Sequence, residues 1–123
     1  MRCDVCIGTD DYEQAEFYQL ENRKARKPHK CYECRRAIQP GEKYEHVRAK
    51  WDGDFSTIYT CGLCAEIRTV FSCGEGYCHG SLWDDMYEIA FPALTTASEC
   101  FTELSATAKA RVLEEWRKWK GLQ

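Results

Sequence analysis

Between Lys43 and Trp51 the chain alternates, setting Tyr44, His46, Arg48 and Lys50 against Val47, Ala49 and Trp51. A period of two marks a strand with different neighbours on its two faces. Asp52-Gly53 follows and reads as a two-residue hairpin turn, because glycine takes positive φ without steric cost. Phe55–Thr60 is then the returning strand. Pairing Trp51 with Asp54 sets His46 opposite Tyr59, Arg48 opposite Thr57 and Lys50 opposite Phe55. With Tyr44 these make one mixed basic and aromatic face, while Val47, Ala49 and Ile58 point to the other. From Ala65 the period lengthens, and Ile67, Val70 and Phe71 share one side of a helix over Ala65–Phe71.

Further on, Ser81 with Asp84 marks the start of a helix over Leu82–Ala90, whose apolar residues are Leu82, Trp83, Met86, Ile89 and Ala90. Pro92 ends it, since the residue before a proline avoids helical geometry. Thr96 and Glu99 form a capping box for a short helix that closes near Leu104. A last helix over Ala106–Lys120 gathers Ala108, Val112, Leu113, Trp116 and Trp119 in one arc, opposite Glu114, Glu115 and Lys118, and stops at Gly121. Residues 9–22 suit two readings. Asp10 and Glu13 fit a helix cap, whereas Phe17-Tyr18 and the alternation after them fit a strand joining the hairpin's sheet, which we favour. The elements predict an α+β fold in a single domain, 1–123, with a helical C-terminal part over 81–120.

Nothing in the pattern is apolar for long enough to span a membrane. Met1-Arg2-Cys3-Asp4 lacks the apolar core of a signal peptide, so a cytoplasmic location is expected. Nine cysteines in 123 residues then change the picture. A reducing compartment keeps thiols from pairing, which favours bound metal over disulfides. Three pairs share one spacing: Cys3 with Cys6, Cys31 with Cys34, and Cys61 with Cys64. A looser pair is Cys73 and Cys78, followed directly by His79. Two cysteines three positions apart turn both sulfurs inward on one tight loop, and two such loops complete a tetrahedral zinc. We favour a nested arrangement, with Cys31, Cys34, Cys61 and Cys64 around one ion and Cys3, Cys6, Cys73 and Cys78 or His79 around a second. Cys100 is left over as a small buried hydrophobe, and His29 as a solvated side chain.

Knuckle, hairpin and helix start, with a ligand pair at each end, resemble a treble-clef zinc finger over residues 28–72. Lys27-Pro28-His29-Lys30-Cys31 with Ile38-x-Pro-Gly-Glu-x-Tyr44 is also similar to small zinc-finger proteins of phages and bacterial genomes, most without an assigned activity. That resemblance implies the fold and no mechanism. The treble-clef segment alone has few large apolar residues, and a structural zinc contributes on the order of 10 kcal/mol of folding free energy.

Net charge is −3, unevenly spread. Residues 1–22 hold six acids against Arg2, and residues 23–36 hold Arg23, Lys24, Arg26, Lys27, Lys30, Arg35 and Arg36 against Glu33. Three functions follow for testing. A protein-binding adaptor leads by elimination, with an unidentified protein partner. Nucleic-acid binding would use the Arg23–Arg36 run with His46, Arg48, Lys50 and Tyr59, holding phosphates by charge and stacking bases on rings. Catalysis is not expected, nor is a small-molecule substrate. The nucleases that share a treble clef need a second histidine on the helix after Cys64, and none stands there. A redox role for Cys61 and Cys64 loses to shared structural metal, because a closed four-cysteine site leaves no open position.

Overall fold

The computed structural model of the protein describes residues 5–9 and 14–123. Cys3, and the helix cap weighed for Asp10 and Glu13, lie outside the described residues. The molecule is a mixed α+β fold on an antiparallel sheet.

Strand β1 (Phe17–Lys24) leads into a small hairpin, β2 (His29–Lys30) with β3 (Ala37–Ile38), that carries Cys31 and Cys34 in its turn. Strands β4 (Lys43–Trp51) and β5 (Asp54–Cys61) form the long hairpin. Asp52 and Gly53 both take positive φ, 51° and 83°, the backbone that matches the right-handed twist of the strands they join. The register is the one that the Trp51–Asp54 pairing predicts, with His46 facing Tyr59, Arg48 facing Thr57 and Lys50 facing Phe55. Strand β1 adds to the free side of β4, from Phe17 opposite Lys50 to Lys24 opposite Lys43, in the sheet order β1-β4-β5. The strand reading for this stretch was therefore right in kind.

Helix α1 (Gly62–Phe71) starts directly from β5. Further on, α2 (Leu82–Asp85) runs into one wider turn over Met86–Ala90, where the Phe91 amide reaches back five residues to the Met86 carbonyl at 2.8 Å. A short α3 (Glu99–Thr102) and a long α4 (Ala106–Gly121) complete the chain. Ser105 caps α4 by accepting from the Ala108 amide. Two expected caps differ. Ser81 makes no side-chain cap for α2; the carboxylate of Glu33 accepts from the Gly80 and Leu82 amides at 2.9 and 3.0 Å instead. The residue before α3 is Ser98, not Thr96, and its hydroxyl is turned back to the Thr95 amide.

Two apolar clusters hold these elements. Val47, Ala49 and Ile58 lie on one face of the hairpin with Ala15 and Trp51 against them. The main core joins Ile38, Ile67, Phe71, Leu82, Met86, Phe91, Phe101, Leu104, Ala108 and Val112. Trp116 and Trp119 pack against this core, the place the helical arc predicts for them. The N-terminal segment is tied down, with Val5 and Ile7 buried and the Ile7 amide donating to the Phe71 carbonyl at 2.8 Å. Gly8 permits that approach, because a Cβ there would collide with the Ser72 carbonyl.

Helix and sheet are also joined by a buried ion pair. Arg68 of α1 gives both Glu45 oxygens hydrogen bonds of 2.8 and 2.7 Å, with the two side chains 2% and 7% exposed. The Arg68 guanidinium also sits 4.0 Å from the centre of the Tyr77 ring. Removing one partner of such a pair strands an uncompensated charge in low dielectric. Glu45→Ala should therefore lower the unfolding free energy by about 3–5 kcal/mol, and Glu45→Leu with Arg68→Met should recover most of it, as read by urea denaturation.

Candidate metal centre

Cys31 and Cys34 lie on the β2–β3 turn, Cys61 ends β5, and Cys64 sits in the first turn of α1. The four sulfurs lie within 4.8 Å of one another. Cys34 and Cys61 sulfurs are 3.9 Å apart. Zinc–sulfur bonds of about 2.3 Å in a tetrahedron put neighbouring sulfurs roughly 3.8 Å apart. The Cys34–Cys61 distance is close to that spacing, and the inner four-cysteine set expected from the sequence comes together in space. The group can hold a metal.

The surroundings support thiolates. The Cys61 amide points at the Cys31 sulfur at 3.3 Å, and the Cys64 amide at the Cys61 sulfur at 3.5 Å. The indole N–H of Trp83, from α2, reaches the Cys64 sulfur at 3.4 Å. Charge distribution within the set is uneven. Hydrogen bonds from Cys31, Cys61 and Cys64 hold the Cys34 thiol far below the ordinary range. Bonds with Cys31 and Cys34 push Cys61 and Cys64 far above it. Four thiolates this close repel one another, so they ionise together only around a cation.

A second sulfur group is made by Cys6, Cys73 and Cys100, again within 4.8 Å. Cys6 and Cys73 meet as the nested arrangement requires, but they are joined as a disulfide with Cα atoms 5.9 Å apart. The expectation of metal in place of disulfides thus does not hold for this pair in the structure. A Cα separation of that size serves a covalent bridge as well as a shared ion. Cys100, read as an unpaired core residue, is 2% exposed, stands with its sulfur 3.6 Å from that of Cys73, and is itself disulfide-bonded, which corrects that reading. Cys78 and His79 lie elsewhere and are absent from both sulfur groups. They line an open cavity of about 820 Å³ together with Tyr18, Tyr32, Trp51 and Tyr77. There His79 Nε2 pairs with the Tyr18 hydroxyl at 2.7 Å. Burial first, and then Arg68, lower the His79 pKa to about 4, so the ring is neutral at physiological pH.

The residues considered for nucleic acid are scattered in their engagements. Arg48 lies 4.8 Å from the Phe55 ring centre and donates to Thr57 at 2.9 Å, and Lys50 lies 5.6 Å from the same ring. His46 packs edge-on to Tyr59, with ring centres 5.7 Å apart. Burial, and then Arg23, lower the pKa of His46. Arg23 pairs with Glu21 at 2.7 Å and Arg36 with Glu114 at 3.3 Å, while Arg35 rests against the Tyr32 ring. Lys24, Arg26 and Lys27 are exposed. His29, expected in solvent, stacks on Tyr59 with centres 4.2 Å apart. The ring is held there by Tyr59 and by Tyr44, whose centre is 5.2 Å away, which leaves it partly buried.

Spacing alone did not reveal Trp83 or Glu33 as supports of the knuckle, because both act across long stretches of sequence. No known protein family, no curated protein and no solved structure matches the chain. Partners that orient metal ligands are worth 10–100-fold in affinity. Trp83→Phe should weaken zinc binding about tenfold in competition with a chromophoric chelator, while leaving the metal-to-protein ratio unchanged at saturation.

Proposed function

We propose that the protein is a non-catalytic binding module whose fold is organised by zinc in the Cys31, Cys34, Cys61 and Cys64 site. The observation that carries this reading is the convergence of those four sulfurs within 4.8 Å of one another, from a knuckle and from a strand–helix junction. All four positions around an ion are filled by protein, which leaves none for a substrate. The order of knuckle, long hairpin and helix is that of a treble clef, the fold we assign to residues 28–72. Zinc is the metal suited to four thiolates in a tetrahedron.

The surface offered to a partner protein is β1. It is an edge strand of the sheet, and Phe17, Tyr18 and Leu20 on it are 44%, 44% and 38% exposed. An edge strand with apolar side chains supplies both backbone hydrogen bonds and anchoring area to an added strand. Leu20→Lys should abolish capture of such a partner while leaving zinc content and melting temperature intact. Loss of neither or of both would contradict a role for β1.

A second reading rests on one specific feature, the exposed Phe55 ring (51%) held between Arg48 and Lys50 beside Phe17. Rings flanked by cations are what single-stranded nucleic acid stacks on. Glu16 and Glu21 weaken the field there by pairing with Lys50 and Arg23. If this face binds, the affinity for a labelled single strand falls with salt at a log–log slope of about 0.7 per phosphate contacted, and Arg48→Glu reduces it at all salt concentrations. Absence of binding at low salt removes this reading and leaves the first.

A further inference from the structure

Tyr18 of β1 and Ser56 of β5 share one face of the sheet, because both pair with Ala49 of β4. The same face carries Val47, Ala49 and Ile58, the second apolar cluster. At its Glu45 end Arg68 of α1 covers it. At its Ser56 end it walls the cavity of about 820 Å³, with residues 76–79 as a further wall. A volume of that size suits a bound small molecule. The walls are fixed by contacts of their own. The Thr9 amide donates to the Gly76 carbonyl at 2.9 Å, and the Tyr32 amide to the Tyr59 carbonyl at 2.7 Å. The Tyr32 ring lies so close to Gly80 that a Cβ there would collide with it. Tyr18, Tyr32, Trp51 and Tyr77 thus bring four rings to one preformed cavity.

The charge of the lining narrows the occupant. Among the described lining residues none is an acid, a lysine or an arginine, and burial, then Arg68, keep His79 neutral. A ligand ion would enter without a counter-charge, which burial penalises heavily. A cation is disfavoured further, because Arg35 and Arg68 already sit on the Tyr32 and Tyr77 rings. Gln14 and Ser56 add neutral polar groups to the rings. His79 supplies an independent sign. Its Nε2 is taken by the Tyr18 hydroxyl at 2.7 Å, whereas its Nδ1 is buried without a hydrogen-bond partner. Leaving a buried ring nitrogen unpaired is costly, and a heteroaromatic edge that reaches Nδ1 relieves that cost.

We propose that this cavity binds an uncharged nucleoside, with the base against the Trp51 and Tyr77 rings and its polar edge on His79 Nδ1. A nucleoside joins a planar heteroaromatic ring to a neutral sugar rich in hydroxyls, the two chemistries that the lining offers. The site adds a small-molecule ligand to a chain whose sequence leads one to expect none. It is separate from the four-cysteine group and does not rest on the zinc reading. Nor does it use the Phe55 ring, which strand alternation places on the other face of the sheet from Ser56.

Amide NMR shifts of the full chain decide, with adenosine, guanosine, cytidine and uridine as probes. At least one should bind at millimolar concentration or below and shift the amides of Gly76, Tyr77, Cys78 and His79. The 5′-monophosphate of that nucleoside should bind about tenfold more weakly, for want of a counter-charge. Trp51→Ala should weaken binding about tenfold through lost stacking. His79→Phe keeps a ring without nitrogens and should also cost about tenfold. The wild-type shifts need no variant, so they decide even where a variant fails to fold. No shift with any of the four nucleosides overturns the assignment, as do shifts centred on Arg48, Lys50 and Phe55. Equal affinity for the monophosphate, or unchanged affinity in a folded His79→Phe, overturns it too. Tighter binding of N-acetyltryptophanamide than of every nucleoside overturns it in favour of an aromatic side chain from a partner protein. Zinc content, measured on the same sample, tests the metal reading separately.

Discussion

Four sulfurs drawn to a common point are the constraint on which the rest of the structure depends. The knuckle between β2 and β3 has two residues in each strand, too few to hold its own shape by strand pairing. The β5–α1 junction likewise turns from extended to helical backbone at Cys61 without any intervening loop. In the proposed zinc-bound form, each is defined by sharing an ion with the other's cysteine pair. In that form, metal–sulfur bonding offsets the chain entropy lost in ordering these short pieces, alongside the apolar core that holds the helices.

From that point the constraint spreads through polar contacts. Glu33 sits between Cys31 and Cys34, yet its carboxylate caps the start of α2 through the Gly80 and Leu82 amides. Burial raises its pKa while those two amides oppose the rise, the pattern of a buried acceptor whose donors were built to meet it. Trp83, one residue further, returns to the four-cysteine group at Cys64. The C-terminal helices are thus fixed to the knuckle from both sides. On the opposite flank, Arg68 anchors α1 to β4 through Glu45, and Ser105 at the start of α4 is held by both oxygens of Glu66. Helix α1 is the hub that touches sheet, knuckle and α4.

Much of this was legible in the residues. The alternation from Lys43 to Ile58 and the Asp52-Gly53 turn gave the hairpin and its register, because a one-residue slip would turn Val47 and Ile58 out of their cluster. Regular cysteine spacing gave the inner site, since two short loops each present two sulfurs by local geometry alone. The helix over Ala106–Gly121 announced itself through an arc of apolar residues. What stayed hidden was decided by tertiary packing. Cys100 carries no local signal that separates it from a core cysteine, and the adjacency of Cys78 and His79 imitates a ligand pair although the chain turns His79 towards Tyr18 and Tyr77. Glu33 and Glu45 look like surface carboxylates in sequence, and only their long-range donors explain why they are buried. The inner four cysteines of the nested order do come together in space; for the outer group that order brought Cys6 to Cys73 and missed the third sulfur.

X-ray absorption at the zinc edge of the reduced protein addresses the coordination most directly. The account predicts a first shell of sulfur alone, at about 2.3 Å, for every ion bound. A shell containing nitrogen or oxygen at about 2.0–2.2 Å would show that histidine, carboxylate or water completes the coordination, and would contradict an architecture held together by cysteine thiolates.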